Sequence, residues 1–201
     1  MKLRYSPTSP YVRKVSATAI EKCLDDRIER IPTNVWDAAT DIGNDNPLGK
    51  VPTLITDDVG VLYDSPVICE YLDSLAPAPR LFPLAGPRRW QALKQQALAD
   101  GLLDAGVACF LEARRPESER SAGWIARQSA TARRVLDAME ADVSSFTPEV
   151  TIGHIATACA LGWLLYRQPF EDWRPARQRL NGWYEQFLAR PSMQATLPRE
   201  P

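Results

Sequence analysis

Val51-Pro52 places a proline at the entrance to Thr53-Leu54-Ile55, a short β-branched and apolar run of strand type. A proline cannot donate to a ladder, so such a strand must carry it at an edge or at its first position. Asn46-Pro47 and Gly49 just upstream are turn residues, so the chain has to enter this strand through a tight loop. X-Pro bonds take the cis form far more readily than other peptide bonds, usually in a tight turn that needs the altered direction. A cis Val51–Pro52 bond would turn the N–H and C=O of Val51 outward, free to pair with an extended peptide.

The flanking segments supply the rest of an α/β unit. Lys2 to Tyr5 has strand character, and Ser6-Pro7-Thr8-Ser9-Pro10 leads into a helix over Tyr11 to Cys23, with apolar positions 12, 15, 19, 20 and 23. Ser9 suits the N-cap and Pro10 the first helical position, where a missing N–H costs nothing. Ile28 to Ile31 is a second strand closed by Pro32, and a weak helix is expected around Trp36. Thr53–Thr56 and Val59–Tyr63 form a hairpin turned by Asp58 and Gly60. Ser65 as N-cap and Pro66 at the first position then start a helix over Val67 to Leu75. The order βαβ, poor helix, ββα predicts a small α/β sandwich on one mixed sheet.

Residues 77–87 carry four prolines and a glycine, a stiff linker between a first domain over 1–76 and an all-helical one over 88–201. Arg88 to Arg114 spaces Trp90, Leu93, Ala97, Leu98, Leu102, Ala105, Cys109 and Phe110 by helical intervals. A second helix is expected from Glu117 or Ser118 to Val143, a third over Thr151 to Tyr166, and a fourth over Pro175 to Ala189. The third is apolar nearly throughout and should lie at the centre of that half. Arg127, Arg133 and Arg134, followed by Asp137, Glu140 and Asp142, suggest a solvated face paired along one helix.

Charge and composition narrow the function. A net charge of -1 gives no basic excess for nucleic acid or an anionic membrane, and no apolar run approaches a bilayer span. The cytoplasm is the expected location. Cys23, Cys69, Cys109 and Cys159 are widely spaced and expected as buried thiols. With one histidine, His154, neither a zinc site nor a histidine-based catalytic dyad is expected, so no metal is assigned.

Asn46-Pro47-Leu48-Gly49-Lys50-Val51-Pro52 and Asp64-Ser65-Pro66-Val67-Ile68 resemble the soluble glutathione transferases, as do Trp173-Arg174-Pro175 and Arg190-Pro191-Ser192. The resemblance covers essentially the whole chain. Ser9-Pro10-Tyr11-Val12 is similar to the Cys-Pro-Tyr-Cys motif of glutaredoxins with both cysteines replaced, which argues against disulfide exchange, and the chain as a whole resembles a bacterial serine-type member of the family. The family implies a thioredoxin-like N-terminal domain, a helical bundle C-terminal domain and a homodimer. The implied activity is conjugation of glutathione to small apolar electrophiles in detoxification; a non-catalytic glutathione- or protein-binding role on the same fold is the alternative.

A thiol of pKa ~8.5 is little ionised at neutral pH, so such an enzyme needs a hydrogen-bond donor and positive potential near the sulfur. Ser9, at a helix N-terminus, is the expected catalytic residue, with Thr8, Ser6 and Tyr5 as alternatives. The resemblance implies a glutathione site of Lys50, Val51, Pro52, Asp64 and Ser65. In it Val51 meets the cysteinyl unit through its backbone, Asp64 the γ-glutamyl ammonium, Ser65 the γ-glutamyl carboxylate and Lys50 the glycyl carboxylate. Tyr11, Phe110, Arg114 and Tyr166 are expected to line the electrophile pocket, and Asp100 and Asp104 could face the domain cleft. Where the family has an acid three residues into the central helix, this chain has His154, expected as a weak cap.

Overall fold

In the computed structural model, which describes residues 1–200, a four-stranded mixed sheet has the order β2-β1-β3-β4. Pro201, the last residue of the expected helical domain, lies outside the described residues. β1 (Lys2–Tyr5) runs parallel to β2 (Glu29–Pro32) and antiparallel to β3 (Thr53–Ile55), which pairs antiparallel with β4 (Val61–Leu62). Helices α1 (Pro10–Glu21) and α3 (Ser65–Ser74) pack together, and Leu3, Val15, Leu54, Ile68 and Leu72 are fully buried in the core. This is the expected thioredoxin-like domain.

Two local expectations change. Trp36 lies in a turn with 74% of its surface exposed, and the helix before β3 is a single turn, α2 (Ile42–Asp45). Asn34 Oδ1 accepts from the Trp36 N–H at 3.1 Å and Asp37 Oδ1 from the Ala39 N–H at 2.9 Å. Those side chains offer the backbone an alternative to helical bonding. α3 begins one residue early: Asp64 O accepts the first helical bond from Ile68, so Asp64 occupies the cap position and Ser65 the first turn.

The second half is helical throughout: α4 (Gly86–Glu112), α5 (Ala122–Asp142), α6 (Ile152–Arg167), α7 (Gln178–Leu188) and short α8 (Pro191–Ala195). α6 is buried from Ile152 to Leu164, as its composition requires. On α4, Leu102, Ala105 and Cys109 of the expected stripe are buried and Leu93, Leu98 and Phe110 pack partly against the core, whereas Trp90 and Ala97 are exposed. Trp90 is 69% exposed, and Ala92, Gln95, Gln96, Ala99, Leu102, Leu103, Gly106 and Cys109 face inward. α4 approaches α6 closely at Gly106, where a Cβ would come within 2.9 Å of the Trp163 ring. Glu117–Glu119 forms a separate 3-10 turn, and α5 starts where Ser121 Oγ accepts from the Trp124 N–H. Likewise α7 starts at Gln178, later than the expected Pro175.

The acids of α5 do not pair along their own helix. Asp137 binds Arg177 at 2.7 Å, Glu140 binds Arg179 at 3.1 Å and Asp142 approaches Lys94 at 3.7 Å, so they join α5 to its neighbours. Cys69, Cys109 and Cys159 are buried, with burial pushing the Cys69 thiol up to about 12 and that of Cys159 up to about 11. Cys23 is exposed, contrary to expectation, because it takes a left-handed conformation (φ +55°) just after α1. Lys22 and Asp73 form a buried ion pair of 2.9 Å. Asp73 also accepts the N–H groups of Leu81 and Phe82, and Lys22 donates to the carbonyls of Ala76 and Pro79. The pair thereby ties α1 and α3 to the proline-rich segment before α4.

His154 is a better cap than its residue type suggested. Its Nδ1 accepts from the Thr151 N–H at 3.1 Å, so the ring is neutral with its proton on Nε2. The imidazole also packs beside Phe146, Trp183 and Phe187, with ring centroids 4.8, 6.1 and 6.3 Å away. An aspartate here would bury a carboxylate among those rings, so His154→Asp is not the stabilising change that capping preference alone predicts. Burial and then Arg190 push the His154 pKa down to about 4. The unfolded chain, at ~6.5, therefore binds the proton first. Stability from the neutral ring is complete above pH ~6.5 and is lost as pH falls toward the folded value. Thermal melts should show the melting temperature dropping from pH 6.5 to pH 4. His154→Gln, which keeps an acceptor without titrating, should flatten that drop; an unchanged slope would assign it to other groups.

Candidate active site

The sheet register brings three distant segments to one edge. Arg4 pairs with Thr53 and Leu54 with Leu62, so the end of β1, the start of β3 and the end of β4 coincide. From that edge leave the Ser6–Ser9 loop, the Lys50–Pro52 entry to β3, and Asp64–Ser65 at the start of α3. Two helix N-termini, those of α1 and α3, thus open on the same side, each with free N–H groups and a positive dipole end.

Ser9 caps α1. Its Oγ accepts from the Val12 N–H at 3.3 Å, which leaves its own O–H to donate elsewhere. Ser6 and Thr8 share a hydrogen bond of 3.2 Å with each other, so one of their protons is already spent. Tyr5 remains within β1 and packs partly against the core. The Val51–Pro52 bond is cis, and buried Asn46 braces the loop before it. Asn46 Nδ2 donates to Lys50 O at 3.0 Å and to Thr53 Oγ1 at 2.9 Å, while its Oδ1 accepts from the Leu48 N–H. Sequence reasoning saw only a turn residue there. Lys50 and Asp64 are exposed, and Ser65 is 1% exposed in the first turn of α3.

Tyr11, Asp100 and Asp104 meet where α1 packs on the helical domain. The Tyr11 hydroxyl donates to Asp104 Oδ1, and the Lys14 ammonium lies 2.6 Å from Asp100. Burial, then the Asp104 bond, holds the Tyr11 phenol far above its ordinary pKa, so it stays protonated and committed to that carboxylate. Burial also raises the Asp100 pKa, against the opposing pull of Lys14. Lys14 gave no signal in the sequence.

Phe110, Arg114 and Tyr166 come together around Arg167. The Arg114 guanidinium lies 5.3 Å from the Phe110 ring centre, and Arg167 lies 5.2 Å from Phe110 and 4.4 Å from Tyr166. Glu200 accepts from the Tyr166 hydroxyl and from Arg167 at 2.7 Å. A cleft of about 480 Å³ runs between the Ser6–Ser9 loop, one face of α1 and residues 194–199. Arg13 on that face is buried and donates to Met193 O at 3.1 Å. Among the described residues, no helix is long and apolar enough to cross a membrane.

Residues 8–75 match the family model for the glutathione S-transferase N-terminal domain, and residues 122–186 match that for the C-terminal domain. The chain is also 36% identical over 202 residues to the uncharacterized GST-like protein YibF of Escherichia coli K12, covering 98% of each. The chain belongs to the glutathione S-transferase family. Among solved glutathione transferases, a Pseudomonas fluorescens Pf-5 family member with bound glutathione is 39% identical, with a TM-score of 0.91 and 98% of each chain covered. A further structure from that organism holds S-(propanoic acid)-glutathione. The glutathione S-transferase of Methylobacillus flagellatus KT with glutathione bound is 36% identical, with a TM-score of 0.93 over 98% of this chain and 99% of that one. The fold expected from the sequence is therefore the glutathione S-transferase fold, a thioredoxin-like domain followed by a helical one.

Proposed function

We propose that this chain is a serine-type glutathione transferase that conjugates glutathione thiolate to small apolar electrophiles. The observation that carries the reading is Ser9: a hydroxyl with an uncommitted proton, at the N-terminus of α1, on the sheet edge that also holds Val51 and Asp64. A donor and a positive helix end are what a thiolate needs to form near neutral pH. The glutathione held by two close relatives supports the same ligand here.

In this reading the Val51 backbone, turned outward beside Pro52, pairs with the cysteinyl unit. Asp64 takes the γ-glutamyl ammonium, Ser65 and the free N–H groups of α3 take its carboxylate, and Lys50 the glycyl carboxylate. The peptide site belongs to residues 1–76, and Phe110, Arg114 and Tyr166 of the helical domain over 88–201 receive the electrophile. Tyr11 contributes through its ring, its hydroxyl being held by Asp104. The chain acts as a homodimer, a reading supported by exposed Val67 and Trp90 beside the Glu70–Arg89 ion pair that joins α3 to α4 at the surface.

The test is retention on immobilised glutathione followed by turnover with a panel of electrophiles. Retention without turnover would leave a non-catalytic glutathione-binding protein. Asp64→Ala should weaken glutathione binding by about 1.5 kcal/mol, the lower end for a charge-assisted bond because this carboxylate is exposed. Unchanged affinity by calorimetry in both Asp64→Ala and Lys50→Ala would rule out this arrangement of the tripeptide.

A further inference from the structure

The aromatic cluster at the end of α4 contains more positive charge than an apolar electrophile requires. Arg114 and Arg167 both stack over Phe110, and Arg167 also stacks over Tyr166. The Tyr166 hydroxyl and the Arg167 guanidinium converge on one carboxylate, that of Glu200. Glu200 belongs to the segment after α8 that has no regular structure, and its side chain is 67% exposed. An isolated exposed ion pair contributes little to stability. Here, though, a planar guanidinium is pre-oriented on two rings beside a phenol donor, the geometry that recognises a carboxylate. The Tyr166 bond, then Arg167 and Arg114, hold the Glu200 carboxyl below its ordinary range, so the seat favours an anion.

The seat is linked to the Ser9 loop along α4 and through the C-terminal segment. Phe110 is six residues beyond Asp104 on α4, ~9 Å along the helix axis. Asp104 is bonded to Tyr11, two residues from Ser9. Arg199, next to Glu200, lines the same cleft as Ser6 and Ser9.

We propose that the electrophile of this transferase carries a carboxylate, which Arg167, Arg114 and the Tyr166 hydroxyl bind in the place that Glu200 occupies, while Phe110 packs on its apolar body. Glu200 is then an intramolecular competitor that the substrate displaces. This inference rests on the conjugating activity proposed above and refines its substrate class. With an aryl chloride as probe, the glutathione thiolate adds to the chlorine-bearing carbon, a C–S bond forms, the C–Cl bond breaks and chloride leaves. The thiol proton goes to solvent, and no oxidant or reductant is needed.

The experiment compares 4-chloro-3,5-dinitrobenzoate with neutral 1-chloro-2,4-dinitrobenzene, each kcat/KM divided by the uncatalysed rate. Arg167→Ala should lower the benzoate-to-neutral ratio about tenfold, the loss of one charge-assisted bond at a partly exposed site. Glu200→Gln should raise that ratio several-fold by weakening the competitor. A ratio that stays constant in both variants overturns the proposal. If the wild type turns over neither probe, the conjugating reading fails instead. The seat is then read by calorimetry with the two pre-formed glutathione conjugates. Tighter binding of the carboxylate-bearing conjugate, lost in Arg167→Ala, supports the seat; equal affinities overturn it.

Discussion

Asp73→Ala should lower the unfolding free energy by about 3–5 kcal/mol, the range for removing one partner of a buried ion pair. Asp73 is 3% exposed and Lys22 2%, so neither charge can turn to water without unfolding its surroundings. The substitution leaves the Lys22 ammonium buried with only the Ala76 and Pro79 carbonyls, and strips the Leu81 and Phe82 N–H groups of their acceptors. At ~2–4 °C per kcal/mol for a chain of this size, the melting temperature should fall by roughly 6–20 °C. Asp73→Asn, which keeps an acceptor but not the charge, should fall between. The double change Lys22→Met with Asp73→Leu should recover part of the loss, because no unpaired charge remains. Urea melts would measure all three. A loss below ~1 kcal/mol for Asp73→Ala would mean that the pair only fills space.

Ser9→Ala is the largest expected change in chemistry. If the Ser9 hydroxyl donates to the glutathione thiolate, its removal deletes one charge-assisted bond of ~1.5–3 kcal/mol. The thiol pKa of bound glutathione should then rise by about one to two units. Affinity for glutathione should change far less, since most proposed contacts lie on the γ-glutamyl and glycyl ends. The same substitution also removes the acceptor of the Val12 N–H, with a loss of ~1 kcal/mol in stability. Ser9→Thr keeps both the cap and the hydroxyl and should restore both quantities, which separates the two roles. Thiolate absorbance of the bound complex against pH reads the first, and thermal melts the second. A titration unmoved in Ser9→Ala would leave the serine a cap only. Thr8 and Ser6, which bond to each other, and Tyr5 would then be tested in turn.

Much of the site was legible because its parts are local. Ser9 with Pro10, Val51 with Pro52, and Ser65 with Pro66 each announce a helix start or a strand entry within a few residues. Turn and cap chemistry operates over that distance. Where a local signal had a local competitor, it misled. Asn34 and Asp37 took the N–H groups that a helix around Trp36 would have used, and Asp64 rather than Ser65 became the cap position.

By itself the sequence determined the element order, the mixed sheet on an α/β first half, the buried course of α6, and the residues that begin α1 and β3. Tertiary structure alone decided which faces turn inward and which charges meet. Gly106 lets α4 approach Trp163 of α6 closely, while Trp90, counted with the buried stripe, stays outside. His154 became a fitted cap because Phe146, Trp183 and Phe187 close around it. Lys22 with Asp73, Lys14 with Asp100, and Arg167 with Glu200 are pairs far apart along the chain. Propensity and periodicity act over a turn or two of backbone, whereas such contacts exist only once segments distant in the chain have packed together.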